Sequence, residues 1–424
     1  MFHKKTSTAT AVLAIGLMAA AVGCSTKASD SGGGGSAGAG GVKVGTGVTA
    51  DTITVGQLTD LTGVFASLGK SITQAEQLYF DQLSGAGGVC GRKINVITKD
   101  HGYNVQNGVT LYNQMKDQVL GFPQVLGSPI SAALLDQYTS DKVIAVPSAW
   151  ASTLLSNKQI MIVGSTYDYE MINGIDFALE KGLIKKGDTV GHIYFEGEYG
   201  ADALLGSKYA AGKNGLNLVE KKIKSTDTDL TAQVTDLKNQ GVKAILLTAS
   251  PKSSASAVGV DASIGLNVPV IGSNPDFDPG LLKTPAGPAL EKLLYGVASW
   301  QQPNGTDKGL QKFITDYQAK YPGSQLDGGL TWGFGAAQAF TAVLKKACDN
   351  KDLTRDGMNT AFRSLTNVNT GVVVPLDYSK PGAAPSQKVY VFRPDSTVPG
   401  GLKQVTDGVY EGPTAPGYVP PALK

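Results

Sequence analysis

Residues 52–98 read TITVGQLTDLTGVFASLGKSITQAEQLYFDQLSGAGGVCGRKINVIT. The β-branched run Thr52–Leu58 predicts a strand, and Ser71–Leu83 predicts a helix because its apolar residues recur at helical spacing. The glycine-rich segment 85–88 predicts the end of that helix, and Arg92–Thr98 predicts a second strand. A strand, a helix and a strand in this order form the unit from which parallel sheets are built.

The same alternation of strands and helices continues over most of the chain. Further strands are predicted at Gln124–Gly127, Val143–Pro147, Thr189–Phe195, Leu216–Ile223, Lys243–Thr248, Val268–Ile271, Val372–Leu376 and Val389–Phe392. About ten such units exceed one sheet, so the sequence predicts an α/β protein of two lobes, each a mostly parallel sheet flanked by helices. Ligands of open α/β sheets bind beyond the carboxyl ends of the strands, so the loops there are the candidate site.

Composition limits the class of protein. The chain has 424 residues, of which 42% are hydrophobic and 17% are charged, enough for two domains with their own cores. Lys and Arg number 37 against 35 Asp and Glu, and the difference vanishes once Lys4 and Lys5 are removed with an N-terminal signal. A neutral body is not expected to bind nucleic acid. Only three histidines occur, so we expect neither a metal site nor a His-based catalytic triad, and the protein is not predicted to be an enzyme.

The N-terminus has the features of an exported lipoprotein. Residues 1–23 begin with basic side chains and continue as a short apolar run that ends in small residues, which is typical of a secretory signal peptide. Cys24 follows directly, where lipoprotein processing attaches a diacylglyceryl group, and residues 24–50 are expected to form a Gly/Ser tether. We therefore predict a protein anchored to the outer face of the cell membrane through Cys24. The alternative is an ordinary signal peptide followed by an incidental cysteine.

Two further cysteines remain once Cys24 is assigned to lipid. Cys90 and Cys348 are an even pair in an exported protein, and we predict a disulfide between them. Such a bond would close a very long loop and stabilise the fold by about 4–5 kcal/mol in the chain-entropy model. The alternative is two buried free thiols.

Several of these segments together resemble a known family. They are VGQLTDLTGVFASLGKSITQAEQLYFDQLSGAGGVCGRKI at 55–94, VLGSPIS at 125–131, IAVPSAWAS at 144–152 and YFEGEYG at 194–200. In order and spacing they resemble the leucine/isoleucine/valine-binding family, which has the type I periplasmic-binding fold of ABC importers. No single motif decides this resemblance, but it extends from about residue 51 to residue 395.

The resemblance implies an architecture and a function. Its domains would be a signal peptide at 1–23, a tether at 24–50, lobe 1 at 51–164 and 301–385, and lobe 2 at 165–300 and 386–424. Three hinge crossings would lie near Gly164, Trp300 and Ser386. A monomer would capture a small solute between closing lobes, without a cofactor, and deliver it to ABC permease subunits. A ligand-sensing receptor on the same fold is the alternative.

Some residues agree with the family's amino-acid site. Ser131 matches the Ser that holds the ligand carboxylate, and it also begins a predicted helix. Ser148 falls at a backbone contact, and Tyr199 matches an aromatic residue of the second lobe. Thr62 and Phe65 lie in the loop after the first predicted strand and complete this part of the predicted ligand site.

Other residues depart from that site. Trp150 stands where the amino-acid binders have Thr, Ser250 stands at an aromatic position, and Asn274 replaces the Glu that neutralises the ligand ammonium. A buried ammonium without a counter-charge costs several kcal/mol, so Asp276 or Asp278 would have to replace that Glu. Otherwise the ligand is not an amino acid, and the flat indole of Trp150 would suit an aromatic or alicyclic carboxylate.

Overall fold

The computed structural model of the protein describes residues 41–420. Its strands are β1 (Lys43–Val44), β2 (Thr52–Thr59), β3 (Lys93–Asp100), β4 (Phe122–Leu126), β5 (Ala145–Ser148), β6 (Thr189–Phe195), β7 (Asn217–Ile223), β8 (Ala244–Thr248), β9 (Val270–Ser273), β10 (Leu294–Ala298), β11 (Asp352–Leu353), β12 (Tyr390–Pro394) and β13 (Leu402–Gln404). Its α-helices are α1 (Ala66–Gly85), α2 (Val105–Met115), α3 (Ser128–Ala133), α4 (Leu135–Asp141), α5 (Tyr167–Glu180), α6 (Glu198–Asn214), α7 (Thr231–Asn239), α8 (Pro251–Ser263), α9 (Gly287–Leu293), α10 (Lys308–Lys320), α11 (Gly328–Asp349) and α12 (Arg355–Arg363).

The first sheet has four parallel strands in the order β3-β2-β4-β5. Its central strand β2 buries Ile53, Val55 and Leu58 completely, as a strand covered on both faces requires. Helix α1 begins at Ala66, five residues before the predicted start, after a turn in which the N–H groups of Gly63 and Phe65 donate to the carboxylate of Asp60. A glycine is needed at Gly69, where a Cβ would lie 1.9 Å from the carbonyl oxygen of Asp60.

The second sheet has seven strands in the order β13-β12-β10-β9-β8-β6-β7. The strands from β6 to β10 pair in parallel, and β12 and β13 add an antiparallel edge. Helix α5 packs so closely on one face that a Cβ at Gly174 would lie 2.6 Å from Ile271 Cγ2 and 3.3 Å from Val297 Cγ2. Helices α8 and α9 pack against each other on this part of the fold. The predicted α/β class, with two mostly parallel sheets flanked by helices, is confirmed.

Two late helices return to the first sheet. Helix α11 packs along α1 and also contacts β4, while α10 packs on α1. Asp327 caps α11 by accepting a hydrogen bond from the N–H of Leu330 at 3.0 Å, which satisfies one of the free donors of the first turn. Residues 308–349 are therefore part of the first lobe although they follow the second sheet in the chain.

The predicted disulfide between Cys90 and Cys348 is confirmed. The two Cα atoms are 5.9 Å apart, within the usual range for a disulfide. Cys90 lies in the turn that follows α1, and Cys348 lies near the end of α11. The bond therefore joins the same two helices that pack against each other.

Two expectations from the sequence differ from the structure. Val42 is buried, and Lys43–Val44 pairs in parallel with Asp352–Leu353, so the folded body begins before residue 50. The predicted strand Val372–Leu376 is wrong, because this segment forms only isolated bridges.

Residues 1–23 and Cys24 lie outside the described residues. Within residues 41–420, no helix has the length and apolar character needed to cross a membrane.

Candidate ligand-binding cleft

Two cavities lie between the sheets, next to the loops that follow the strands. The larger has a volume of about 650 Å³ and the smaller a volume of about 240 Å³, and both values include the open mouth, so the enclosed space is much smaller. Phe65, Leu68 and Pro275 line both cavities. Phe65 and Leu68 belong to the start of α1, whereas Pro275 follows β9, so side chains from both lobes meet where the cavities adjoin.

The smaller cavity is lined by hydroxyl groups and aromatic rings. Its lining comprises Phe65, Leu68, Tyr103, Leu126, Gly127, Ser128, Ser148, Tyr167, Tyr199 and Pro275. The Oγ atoms of Ser128 and Ser148 are buried and have no hydrogen-bond partner among residues 41–420. The hydroxyl of Tyr199 lies 3.0 Å from Ser273 Oγ. The free space accommodates about one water molecule, so this cavity suits one small polar group that accepts hydrogen bonds.

The larger cavity is mainly apolar. Its apolar and aromatic lining residues are Val64, Phe65, Leu68, Pro251, Pro275, Phe277, Pro279, Val297, Ala298, Trp300, Phe392 and Leu402. Its charged lining residues are Asp276, Asp278 and Asp327. Among the described residues that line the two cavities, none is Lys, Arg or His. The cleft thus offers a large apolar surface and no cation to pair with an anionic ligand.

Burial changes the ionisation of two of these acids. The side chain of Asp276 is buried, its Oδ2 has no hydrogen-bond partner within the described part of the chain, and burial raises its pKa well above the ordinary value. Burial raises the pKa of Asp327 to about 7, although Ser71 Oγ donates a hydrogen bond to Asp327 Oδ2 at 2.6 Å and opposes this shift. Burial therefore favours the protonated form of Asp276, and Asp327 is partly protonated at pH 7.

Asn274 uses its two N–H donor groups to bind a buried glutamate. Its backbone N–H donates to Glu170 Oε2 at 3.1 Å, and its Nδ2 donates to Glu170 Oε1. Burial raises the pKa of Glu170 well above the ordinary value, and the two hydrogen bonds from Asn274 lower it. Glu170 is not among the residues that line the two cavities. The carboxyl group behind Asn274 therefore positions the loop and is not directed at a ligand.

The chain matches the family model described as periplasmic binding protein over residues 52–399. The chain belongs to the periplasmic binding protein family.

Solved structures agree with this assignment. The fatty acid ABC transporter substrate-binding protein from Thermomonospora curvata is 43% identical, with 91% of this chain and 99% of that chain covered and a TM-score of 0.89. Two others show the fold alone. The valine-bound branched chain amino acid ABC transporter from Thermus thermophilus is 17% identical, with 86% and 98% covered and a TM-score of 0.77. The solute binding protein of Rhodopseudomonas palustris BisB5 with 3,4-dihydroxy benzoic acid is 21% identical, with 87% and 99% covered and a TM-score of 0.72.

Five of the predicted site residues of this periplasmic binding protein line the cleft. They are Phe65, Ser148, Tyr199, Asn274 and Asp276. Ser148 is the last residue of β5, and the other four lie in the loop that follows a strand or at the start of the next helix. Their positions agree with the rule that ligands bind at this edge of an open α/β sheet, although most of the lining was not predicted.

Three other predicted site residues lie outside the lining of both cavities. Thr62 donates from Oγ1 to Asp100 Oδ2 at 2.9 Å in an exposed loop. Ser250 caps α8 and shares a hydrogen bond with Ser253 Oγ at 2.9 Å. Ser131 does not begin a helix, because α3 begins at Ser128, and its N–H donates to Gly127 O inside the first turn. Its Oγ is buried without a partner in residues 41–420.

Trp150 also lies outside the lining, in a cluster of three indoles. Its ring centroid is 5.0 Å from that of Trp300 and 5.1 Å from that of Trp332. The Nε1 of Trp150 and the Nε1 of Trp332 donate to the same carbonyl oxygen, that of Val163, at 2.9 and 2.8 Å. In this structure Trp150, which the sequence analysis placed at the ligand, therefore packs against the other two indoles. Trp300 is the member of the cluster that lines the larger cavity.

Several lining residues were not predicted. Ser128 and Tyr103 follow β4 and β3 closely, so the strand-end rule applied to every loop would have included them. Three other lining residues do not follow the carboxyl end of a strand at the cleft, and no local sequence pattern identifies them. They are Asp327, Phe392 and Leu402. They reach the cavity because α11, β12 and β13 return to it late in the chain.

Proposed function

We propose that this protein is the extracytoplasmic substrate-binding protein of an ABC importer. We further propose that its ligand is a carboxylic acid with one small polar head and a long apolar tail, of the fatty-acid class. The relative from Thermomonospora curvata, which is 43% identical over nearly its whole length, is named for a fatty acid. The family assignment supports a binding protein that delivers ligand to permease subunits and performs no turnover.

The main observation that supports this ligand class is that the two cavities adjoin each other. A small cavity with unpartnered hydroxyls at Ser128 and Ser148 adjoins a large apolar cavity across Phe65, Leu68 and Pro275. A head group in the first would receive hydrogen bonds, and a tail in the second would be removed from water at a gain of about 25 cal/mol per Å² of apolar surface. Apolar burial then supplies most of the affinity, since no cation lines the described cleft.

An amino acid fits these features less well. Its ammonium group needs an anionic partner, but Asn274 is bonded to Glu170 and no Asp or Glu is among the described residues that line the smaller cavity. The smaller cavity also lacks room for an ammonium and a carboxylate together. An aromatic or alicyclic carboxylate satisfies the charge argument equally well, and it is separated from a straight-chain acid by the experiment below.

The proposed lobes are residues 51–164 with 301–385 and residues 165–300 with 386–424. Two contacts support this division. At the first two crossings, the N–H of Ser165 donates to Ser299 Oγ at 2.8 Å, so the connections run side by side. After the third crossing, Asn173 Nδ2 on α5 donates to Gln387 O at 2.9 Å, which ties the returning chain to the second lobe. Ligand contacts to both lobes would favour the closed state.

The proposed anchor lies outside the described residues. Cys24 follows the predicted signal peptide 1–23, and the folded body begins by Val42. Replacing Cys24 with Ala should release the full chain from membranes when cells are fractionated, whereas Cys24→Ala protein that still sediments with membranes would contradict the anchor.

Thermal unfolding with a panel of ligands tests the ligand class. The panel contains dodecanoic acid, cyclohexanecarboxylic acid, benzoic acid, leucine and valine, each added to the body that follows Cys24. A ligand that binds only the folded state raises Tm, and a ligand at about 100 times its Kd stabilises by about 2.7 kcal/mol. We expect the largest rise with dodecanoic acid. A larger rise with leucine or valine, or with the cyclic acids, would contradict a straight-chain ligand.

A further inference from the structure

Two glycines lie side by side on the face of the second sheet that is turned away from α5. Gly272 on β9 and Gly296 on β10 are register partners, so their missing side chains belong to the same face. The opposite face carries Ile271 and Val297, which pack against Gly174 of α5. The paired glycines leave a shallow recess in the sheet beside the larger cavity.

The two halves of this recess differ. A Cβ at Gly272 would lie 1.4 Å from Oδ2 of Asp276, so the carboxyl group of Asp276 already occupies that space. Apart from Gly296 itself and its two neighbours in the chain, no heavy atom of the described residues lies within 4 Å of the corresponding point at Gly296, and Gly296 lines the larger cavity. The recess over Gly296 is therefore open space that belongs to the cleft.

The cavity continues past Gly296 to the antiparallel edge of the sheet. Phe392 on β12 is the register partner of Gly296, and Leu402 on β13 pairs with Pro394. By the alternation of strand side chains, Phe392 and Leu402 face the same side as the recess, and both line the cavity. An apolar tail entering from Phe65 and Pro275 would meet these two side chains last.

We propose that Gly296 and Leu402 set the length of the ligand tail that this protein accepts. The proposal rests on the function proposed above, namely binding of an acid with an apolar tail. A side chain at position 296 would fill the recess and exclude the end of the tail, whereas a smaller side chain at position 402 would extend the space. The backbone at Gly296 does not have a positive φ, so a larger residue fits the strand without strain.

The test measures Kd for straight-chain saturated monocarboxylic acids from butanoic to tetradecanoic acid. It compares the unaltered protein with Gly296→Ala, Gly296→Val and Leu402→Ala. Each methylene excluded from an apolar pocket weakens binding about fourfold. We expect Gly296→Ala to shift the best-bound acid by about one carbon towards shorter tails and Gly296→Val to weaken the longest acids more than tenfold. Leu402→Ala should shift the preference towards longer tails.

The matched control is Gly212→Ala, on the exposed surface of α6, where a Cβ also meets nothing within 4 Å. It should leave the chain-length profile unchanged. If Gly296→Val does not fold, Gly296→Ala and Leu402→Ala carry the test, because they should shift the profile in opposite directions. An unchanged profile in the Gly296 variants, or equal weakening of butanoic and tetradecanoic acid, would overturn this inference alone. Failure of the unaltered protein to bind any of the acids would overturn the proposed function itself.

Discussion

The Nε2 of Gln325 donates a hydrogen bond to Oδ1 of Asp278 at 2.9 Å, and this bond crosses the cleft. Gln325 lies between α10 and α11 on the side of the four-stranded sheet, whereas Asp278 follows β9 of the seven-stranded sheet and lines the larger cavity. Asp278 also accepts from the N–H of Gly280 at 2.7 Å, which holds its carboxylate in place for Gln325. We expect this contact to stabilise the closed arrangement of the proposed lobes.

Replacing Gln325 with Ala should weaken ligand binding without altering the site itself. A hydrogen bond between exposed groups contributes about 0.5–1 kcal/mol, so we expect Kd to rise about two- to fivefold, mainly through faster dissociation. Calorimetry and stopped-flow dissociation would measure both quantities. The control is Gln77→Ala, which removes a similar bond to Asp81 within α1 and should leave Kd unchanged. Equal effects of the two variants would show that the bond across the cleft does not stabilise closure.

Replacing Asp276 with Asn distinguishes an acid ligand from an amine ligand. Burial raises the pKa of the Asp276 carboxyl group and so favours its protonated form, which the amide of Asn resembles in charge and shape. We expect Kd for dodecanoic acid to change less than about threefold. Binding of leucine or valine that weakens more than about tenfold in this variant would instead indicate that an ionised Asp276 neutralises a ligand ammonium group.

Asp327 should make the unfolding free energy depend on pH. Burial raises its pKa to about 7 in the folded state, whereas an unfolded Asp has a pKa near about 3.9. Its contribution to stability is therefore fully present below about pH 4 and is lost as the pH rises to about 7. The loss is about 1.4 kcal/mol for each pH unit between the two pKa values. Asp327→Asn retains a capping oxygen for α11 and should flatten this slope in urea unfolding.

A suitable control for that experiment is Asp229→Asn. Asp229 is exposed, and hydrogen bonds from the hydroxyl and N–H of Thr231 lower its pKa, so it is already ionised in both states above about pH 5. The slope between about pH 5 and 7 should not change in this variant. If Asp327→Asn likewise leaves the slope unchanged, Asp327 is ionised in the folded protein.

Substitution of Trp150 should affect stability more than binding. Trp150→Phe keeps an aromatic ring beside Trp300 and Trp332 but loses the hydrogen bond to Val163 O, and we expect about 1–2 kcal/mol of destabilisation. Kd for dodecanoic acid should stay within about twofold, since the indole does not line the cavities. A selective loss of affinity with unchanged Tm would return Trp150 to the ligand site predicted from the sequence.

Removal of the disulfide should lower stability without abolishing binding. The bond between Cys90 and Cys348 spans 258 residues, and the chain-entropy model gives a stabilisation of about 5 kcal/mol as an upper value. The double variant Cys90→Ser/Cys348→Ser should unfold at lower urea concentration but bind dodecanoic acid with similar Kd, because neither residue lines the cleft. Thiol titration of the denatured, unreduced protein should detect neither Cys90 nor Cys348, and finding both would contradict the bond.

The sequence alone determined the class of fold and one edge of the site. The β-branched and helical periods of residues 52–98 are local properties, so they predicted β2, α1 and β3 before any contact was known. Parallel strands place their following loops at one edge, and the predicted residue Phe65 lies in such a loop. The other predicted residues that line the cavities came from the resemblance to the family, namely Ser148, Tyr199, Asn274 and Asp276.

Only the tertiary structure decided what those loops enclose. Trp150 lies in an equally well-placed loop but turns into a cluster with Trp300 and Trp332, because a buried indole N–H needs an acceptor and finds Val163 O. The open space over Gly296 and the position of Leu402 at the larger cavity depend on pairing between strands that are far apart in the chain. These contacts cannot be predicted from a local stretch of sequence. The shape of a cavity is set by all the side chains around it, and these come together only when the whole chain packs.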